Sequence, residues 1–112
     1  MAFFFCRLKP PRPTFPFDMT EEERGLMGEH AAYLRGLGER GVMLVAGPVP
    51  EGEGAWGLAV LEAADEGEVR ALTEADPIVR SGRGFAYSLQ PMMNAMFGRR
   101  LTTANPNEVV KP

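Results

Sequence analysis

His30, the one histidine of the chain, and Asp76, the middle of an Ala-Asp-Pro triplet, are the residues best suited to move a proton. At roughly 100° per residue, Leu26, His30, Tyr33 and Leu37 share one narrow stripe of a helix, so the imidazole is expected on its inward face. A buried imidazole must find hydrogen-bond partners or give up its charge, because an unsatisfied buried polar group costs on the order of 1 to 3 kcal/mol. Asp76 is the partner that spacing offers: it lies two helical turns beyond Val69 and so continues the apolar stripe of a second helix. Paired, the carboxylate would hold one imidazole tautomer and leave the other ring nitrogen free to take or give a proton. The bland alternative is a satisfied core histidine, with Asp76 doing no more than ending a helix before Pro77.

The elements that must position these two side chains are legible in turn. Ala2 to Leu8 reads as a phenylalanine-rich strand, ended by the loop of Pro10, Pro11, Pro13 and Pro16. Thr20 followed by Glu23 is a capping-box pattern, and the helix it starts runs to about Arg40 before Gly41. Val42 to Val49 and Ala55 to Glu62 read as a hairpin about the turn Pro50 to Gly54. Asp65 and Glu68 open a second helix with Val69 and Leu72 on its apolar stripe, and Phe85 to Gln90 is the last strand. The order βαββαβ is that of an α+β, ferredoxin-like domain: an antiparallel sheet with two helices on one face.

Two helices cover one sheet face only. In the first strand Phe4, Cys6 and Leu8 point one way and Phe3 and Phe5 the other, and in the second Val42 and Leu44 are expected to oppose Met43 and Val45. Both faces are apolar, so the uncovered one is expected to pack on a second copy of the chain, making a homodimer.

Composition narrows the partners. With a formal net charge of -3 and 24 % charged residues of mixed sign among 112, the chain has no broad positive field for a phosphate backbone, so nucleic acid is not an expected partner. Its length suits one domain, read here as residues 1–97 with a C-terminal tail at 98–112. A lone cysteine, Cys6, fits a reducing compartment, and neither a signal segment nor a membrane-spanning run is legible, so a cytoplasmic location is expected. No metal is expected, because one histidine with the outward-facing Glu29 beside it lacks converging ligands, and no cofactor-binding motif is apparent.

Other features have two readings. Gly47-Pro48 ends the second strand where bare backbone could approach a ligand, or is plain turn punctuation. Arg80, Gly82, Arg83 and Gly84 suit a solvated loop better than an anion nest. Trp56 could line a pocket, but an aromatic at a strand start is expected in the core, and Met92, Met93, Met96 and Phe97 have the spacing of one docked apolar helical turn.

Glu29-His30, Gly41 to Leu44 leading into Ala46-Gly47-Pro48-Val49, Ala75-Asp76-Pro77 with Gly82 beyond it, and Gln90-Pro91-Met92 together resemble the YciI-like (YCII-related) family, over roughly Ala2 to Met92. The resemblance implies a ferredoxin-like subunit of the dimeric α+β barrel kind, with His30 and Asp76 as a catalytic pair. It also implies a cleft for small, often ring-shaped molecules, with Gly47 and Pro48 at the ligand, and cofactor-free proton transfer such as an elimination or isomerisation. Many relatives carry a tyrosine directly after Asp-Pro where this chain has Ile78; Tyr33 is the candidate to stand in for that phenol. The rival expectation is a non-catalytic dimeric module that binds a small ligand or serves as an accessory subunit.

Overall fold

In the computed structural model, which describes residues 1–98, seven elements follow one another: β1 (Ala2–Lys9), α1 (Glu21–Glu39), β2 (Met43–Glu51), β3 (Gly54–Ala63), α2 (Glu66–Glu74), the short α3 (Pro77–Arg80) and β4 (Ala86–Pro91). The strands form one antiparallel sheet in the order β2-β3-β1-β4. The fold is α+β and ferredoxin-like, with β1 and β3 at the centre. Of the expected tail at 98–112, all but Gly98 lies outside the described residues.

Period-two alternation sorts the central strands into two faces. Phe4 and Cys6 of β1 and Ala59, Leu61 and Ala63 of β3 are buried with Leu37 of α1 and Val69 of α2, while Leu8 on the same face packs with Phe15, Ile78 and Phe85. Phe3, Phe5, Arg7, Trp56, Leu58 and Val60 are partly exposed on the opposite face. There Arg7 stacks over the Trp56 ring at 4.1 Å, and Trp56 meets Phe5 edge to face. Trp56 therefore belongs to the open face and not to the core.

Both ends of α1 are set locally. Thr20 Oγ1 accepts from the Glu23 amide and Glu23 Oε1 accepts from the Thr20 amide, a complete capping box. At the other end Gly41 adopts φ +76, which lets the Gly41 and Val42 amides reach Gly38 O and Leu37 O. Glu23 also takes both terminal nitrogens of Arg12, at 2.8 and 2.7 Å, and so ties the proline-rich loop to the start of α1. That guanidinium first, and the Thr20 amide second, hold the Glu23 carboxyl down to about 2 against an ordinary 4.5. A depressed native value stabilises the fold above the unfolded value, and the stabilisation is lost as pH falls. Thermal stability measured from about pH 5 to 2.5 is expected to fall less steeply in Arg12→Gln than in the parent; parallel curves would exclude the pair as the cause.

The structure departs from the pattern expected of the hairpin. The turn is only Gly52-Glu53, with Gly52 at φ +58, and β2 continues through Pro48 and Pro50 to Glu51. It can do so because β2 is an edge strand, where a missing donor costs no ladder bond. The register also shifts between Met43 and Val45, so Leu44 is an extra residue and the alternation reverses. Met43 faces α1 with its Sδ-methyl near Gly38, and Val45 lies on the open face, 44 % exposed. The two were expected on the same face. From the bulge onward Ala46 and Pro48 share the α1 face with their cross-strand partners Ala59 and Gly57.

Residues 92–98 form no helical turn; Met93 and Met96 are exposed, and Phe97 sets its ring edge-on against Phe3 on the open face.

Candidate functional site

Asp76 is aimed inward by a cap and not by the stripe of α2. That helix ends at Glu74, and Asp76 (φ -62, ψ 126) is the extended N-cap of α3, with Pro77 in the first turn. Its Oδ1 accepts from the Ile78 amide at 3.0 Å, which turns Oδ2 toward α1, the helix against which α3 packs. There His30 Nδ1 lies 2.7 Å away. Asp76 is 0 % exposed and His30 8 %, and a carboxylate so enclosed is tolerated only when donors surround it.

The third donor was not singled out from the sequence. Tyr87, in β4 opposite Leu8, donates its hydroxyl to Asp76 Oδ2 at 2.8 Å. Burial first, and the Asp76 charge second, push the Tyr87 phenol well above its ordinary value, so it remains a protonated donor. The available signal was the alternation of Phe85, Tyr87 and Leu89 along the last strand, which puts this tyrosine on the inward face. Tyr33, the expected stand-in for a missing phenol, is not brought to the site: it turns one helical step away and gives its hydroxyl to Leu72 O at 2.7 Å. The phenol beside the aspartate is that of Tyr87.

The network selects a tautomer. A carboxylate Oδ2 only accepts, so in the neutral imidazole it is Nδ1 of His30 that carries the proton directed at Asp76. Nε2 then holds a lone pair. It makes no hydrogen bond to the protein among the described residues, and no enclosed side-chain polar atom there lacks a partner, so Nε2 keeps an accessible surface on a residue that lines a cavity.

That cavity holds about 340 Å³ between α1 and the sheet, and its walls are mainly apolar. Its floor is low because Ala46, Ala55, Gly57 and Ala59 leave the space beneath α1 unfilled; at Gly57 a Cβ would sit 3.3 Å from that of Leu8. Gly47 and Pro48 border it, Gly47 through its backbone, since its side-chain direction opens into free space on the other face. Phe15 and Phe85, edge to face at 5.1 Å, close one side together with Pro10 and Pro16. The loop carrying them is pinned on β3: the Ala55 amide donates to Phe15 O, and any side chain at Gly54 would collide with Pro13 O and Phe15 O.

Other candidates lie elsewhere. Cys6 is enclosed in the core, where burial pushes its thiol up to about 11, so it offers no thiolate near neutral pH. Glu29 is exposed, Arg83 is paired with Glu22, and no three His, Cys, Asp or Glu side chains converge among the described residues. Nor is any described helix long and apolar enough to cross a membrane.

A family model described as the YCII-related domain matches residues 3–93. Among solved structures, the chain is similar to 5-chloro-2-hydroxyhydroquinone dehydrochlorinase (TftG) from Burkholderia phenoliruptrix AC1100, in complex with 2,5-dihydroxybenzoquinone. The identity is 23 % and the TM-score 0.60, covering 85 % of this chain and 96 % of that one, a likeness of fold. No curated protein matches.

Proposed function

The chain belongs to the YCII-related family, and from that premise we propose that it is a cofactor-independent enzyme whose His30 moves a proton on a small organic substrate. The observation that carries the reading is the 2.7 Å contact of His30 Nδ1 with a buried carboxylate while Nε2 is left to a ring-sized cavity. In an elimination, Nε2 takes a proton from the substrate. The electron pair of the broken bond becomes a new double bond, and the leaving group departs with its own pair. In an isomerisation the imidazolium returns the proton to another atom of the same molecule. Asp76 stabilises the imidazolium in either case, and Tyr87 and the Ile78 amide hold the carboxylate in place. Elimination on a hydroxylated ring is favoured, because the neighbour of shared fold is named for a dehydrochlorination of such a ring.

The working unit is a cytoplasmic homodimer of residues 1–97, with 98–112 as a tail. Support for the dimer comes from the open face, where Phe3, Phe5, Leu58 and Val60 stand beside Val45 with no helix of the described residues over them.

The test is chloride release from 5-chloro-2-hydroxyhydroquinone, together with solvent-deuterium exchange into hydroxylated benzenes followed by NMR. The parent chain is expected to promote one or both, and His30→Gln neither. Equal rates in the two proteins would remove His30 as the base, and tight binding with no proton exchange would leave a ligand-binding module instead.

A further inference from the structure

We propose, resting on the reading of this cavity as a substrate site, that Arg35 selects organic anions: ring-sized molecules bearing one carboxylate or ring oxyanion. Arg35 sits on α1 five residues after His30, a rise of roughly 7.5 Å along the helix, and borders the same cavity. Among the described residues no aspartate or glutamate lines the cavity, and Arg35 is the one arginine or lysine that does.

The surroundings leave this cation available. Arg7, Arg12, Arg70 and Arg83 each hold a carboxylate, of Glu51, of Asp18 and Glu23, of Glu66 and of Glu22. Arg35 has no ion-pair or hydrogen-bond partner among the described residues and is exposed. A planar guanidinium can meet a carboxylate with two parallel hydrogen bonds, or a ring oxyanion with one, while Phe15, Phe85 and Tyr87 offer apolar walls for the ring. Asp76 does not repel such a ligand strongly, since it lies behind the imidazole and is enclosed by three donors.

The test is isothermal titration of the full chain with 4-hydroxybenzoate and with its neutral counterpart 4-hydroxybenzamide. The benzoate is expected to bind about five- to tenfold more tightly, the range for a charge-assisted contact at a partly solvated mouth. Arg35→Gln should bring the two affinities together, Arg35→Lys should keep part of the preference, and His30→Gln should keep it. Raising salt from about 0.05 to 0.5 M should shrink it. Equal affinities in the parent, or a preference that survives Arg35→Gln, overturn the assignment, as does binding of neither compound. The exchange assay is read separately: turnover without charge preference rejects Arg35 alone, whereas charge preference without turnover rejects the enzyme and keeps the anion site.

Discussion

His30→Gln is expected to lower turnover by about 10² to 10⁴-fold with the protein still folded, the span that a positioned general base contributes. Glutamine keeps an amide N–H that can turn to donate to Asp76, although it lies one bond further from Cα than Nδ1, but no atom of it can take a proton at neutral pH. Asp76→Asn is expected to cost a comparable factor for a different reason. An amide donor facing His30 and Tyr87 favours the other imidazole tautomer, which puts a proton on Nε2 and removes the lone pair from the cavity. On the proposed reading the two residues act as one unit, so the double substitution should cost little more than either alone. Additive losses would separate their roles. Asp76→Ala distinguishes catalysis from architecture: it strands three donors and the cap of α3, and should destabilise the fold by roughly 3 to 5 kcal/mol. Retained activity in His30→Gln, measured by the exchange assay, would end the proton-transfer reading whatever the melting temperatures show.

Val60→Asp is expected to convert the proposed homodimer to a monomer at micromolar concentration, with a dissociation constant raised by about 10²-fold or more. Val60 lies at the middle of the open face, between Phe5 of β1 and Val45 of β2 in the cross-strand register. A two-fold interface presents this position from both copies, so two carboxylates would be desolvated without partners. The α1 face is untouched, and the His30–Asp76–Tyr87 network should persist in the monomer. Sedimentation velocity checks this directly. A monomeric parent chain, or a Val60→Asp protein as dimeric as the parent, would show that the open face is not the interface.

What the amino-acid sequence determined by itself is the part set by residues within a few positions of one another. The Thr20–Glu23 box, the Asp65 cap, the helix end at Gly41 and the period-two phenylalanines of β1 are local, and they suffice for the order βαββαβ and for the inward face of His30. The tertiary structure decided what depends on distant parts meeting. The bulge at Leu44 exists only because β2 pairs with β3, and it alone sends Met43 and Val45 to opposite faces and brings Ala46 and Pro48 to the cavity side. Asp76 points inward as the cap of α3, not as the last residue of a helical stripe, so its predicted direction was reached through a different local geometry. Tyr87 and Tyr33 show the same limit. Each is a tyrosine on an inward-facing repeat, and nothing near either in the chain says which hydroxyl finds Leu72 O and which finds Asp76. His30 and Asp76 are separated by 46 positions and carried by different helices; their 2.7 Å contact arises from the packing of α1 against α3, which no local pattern encodes.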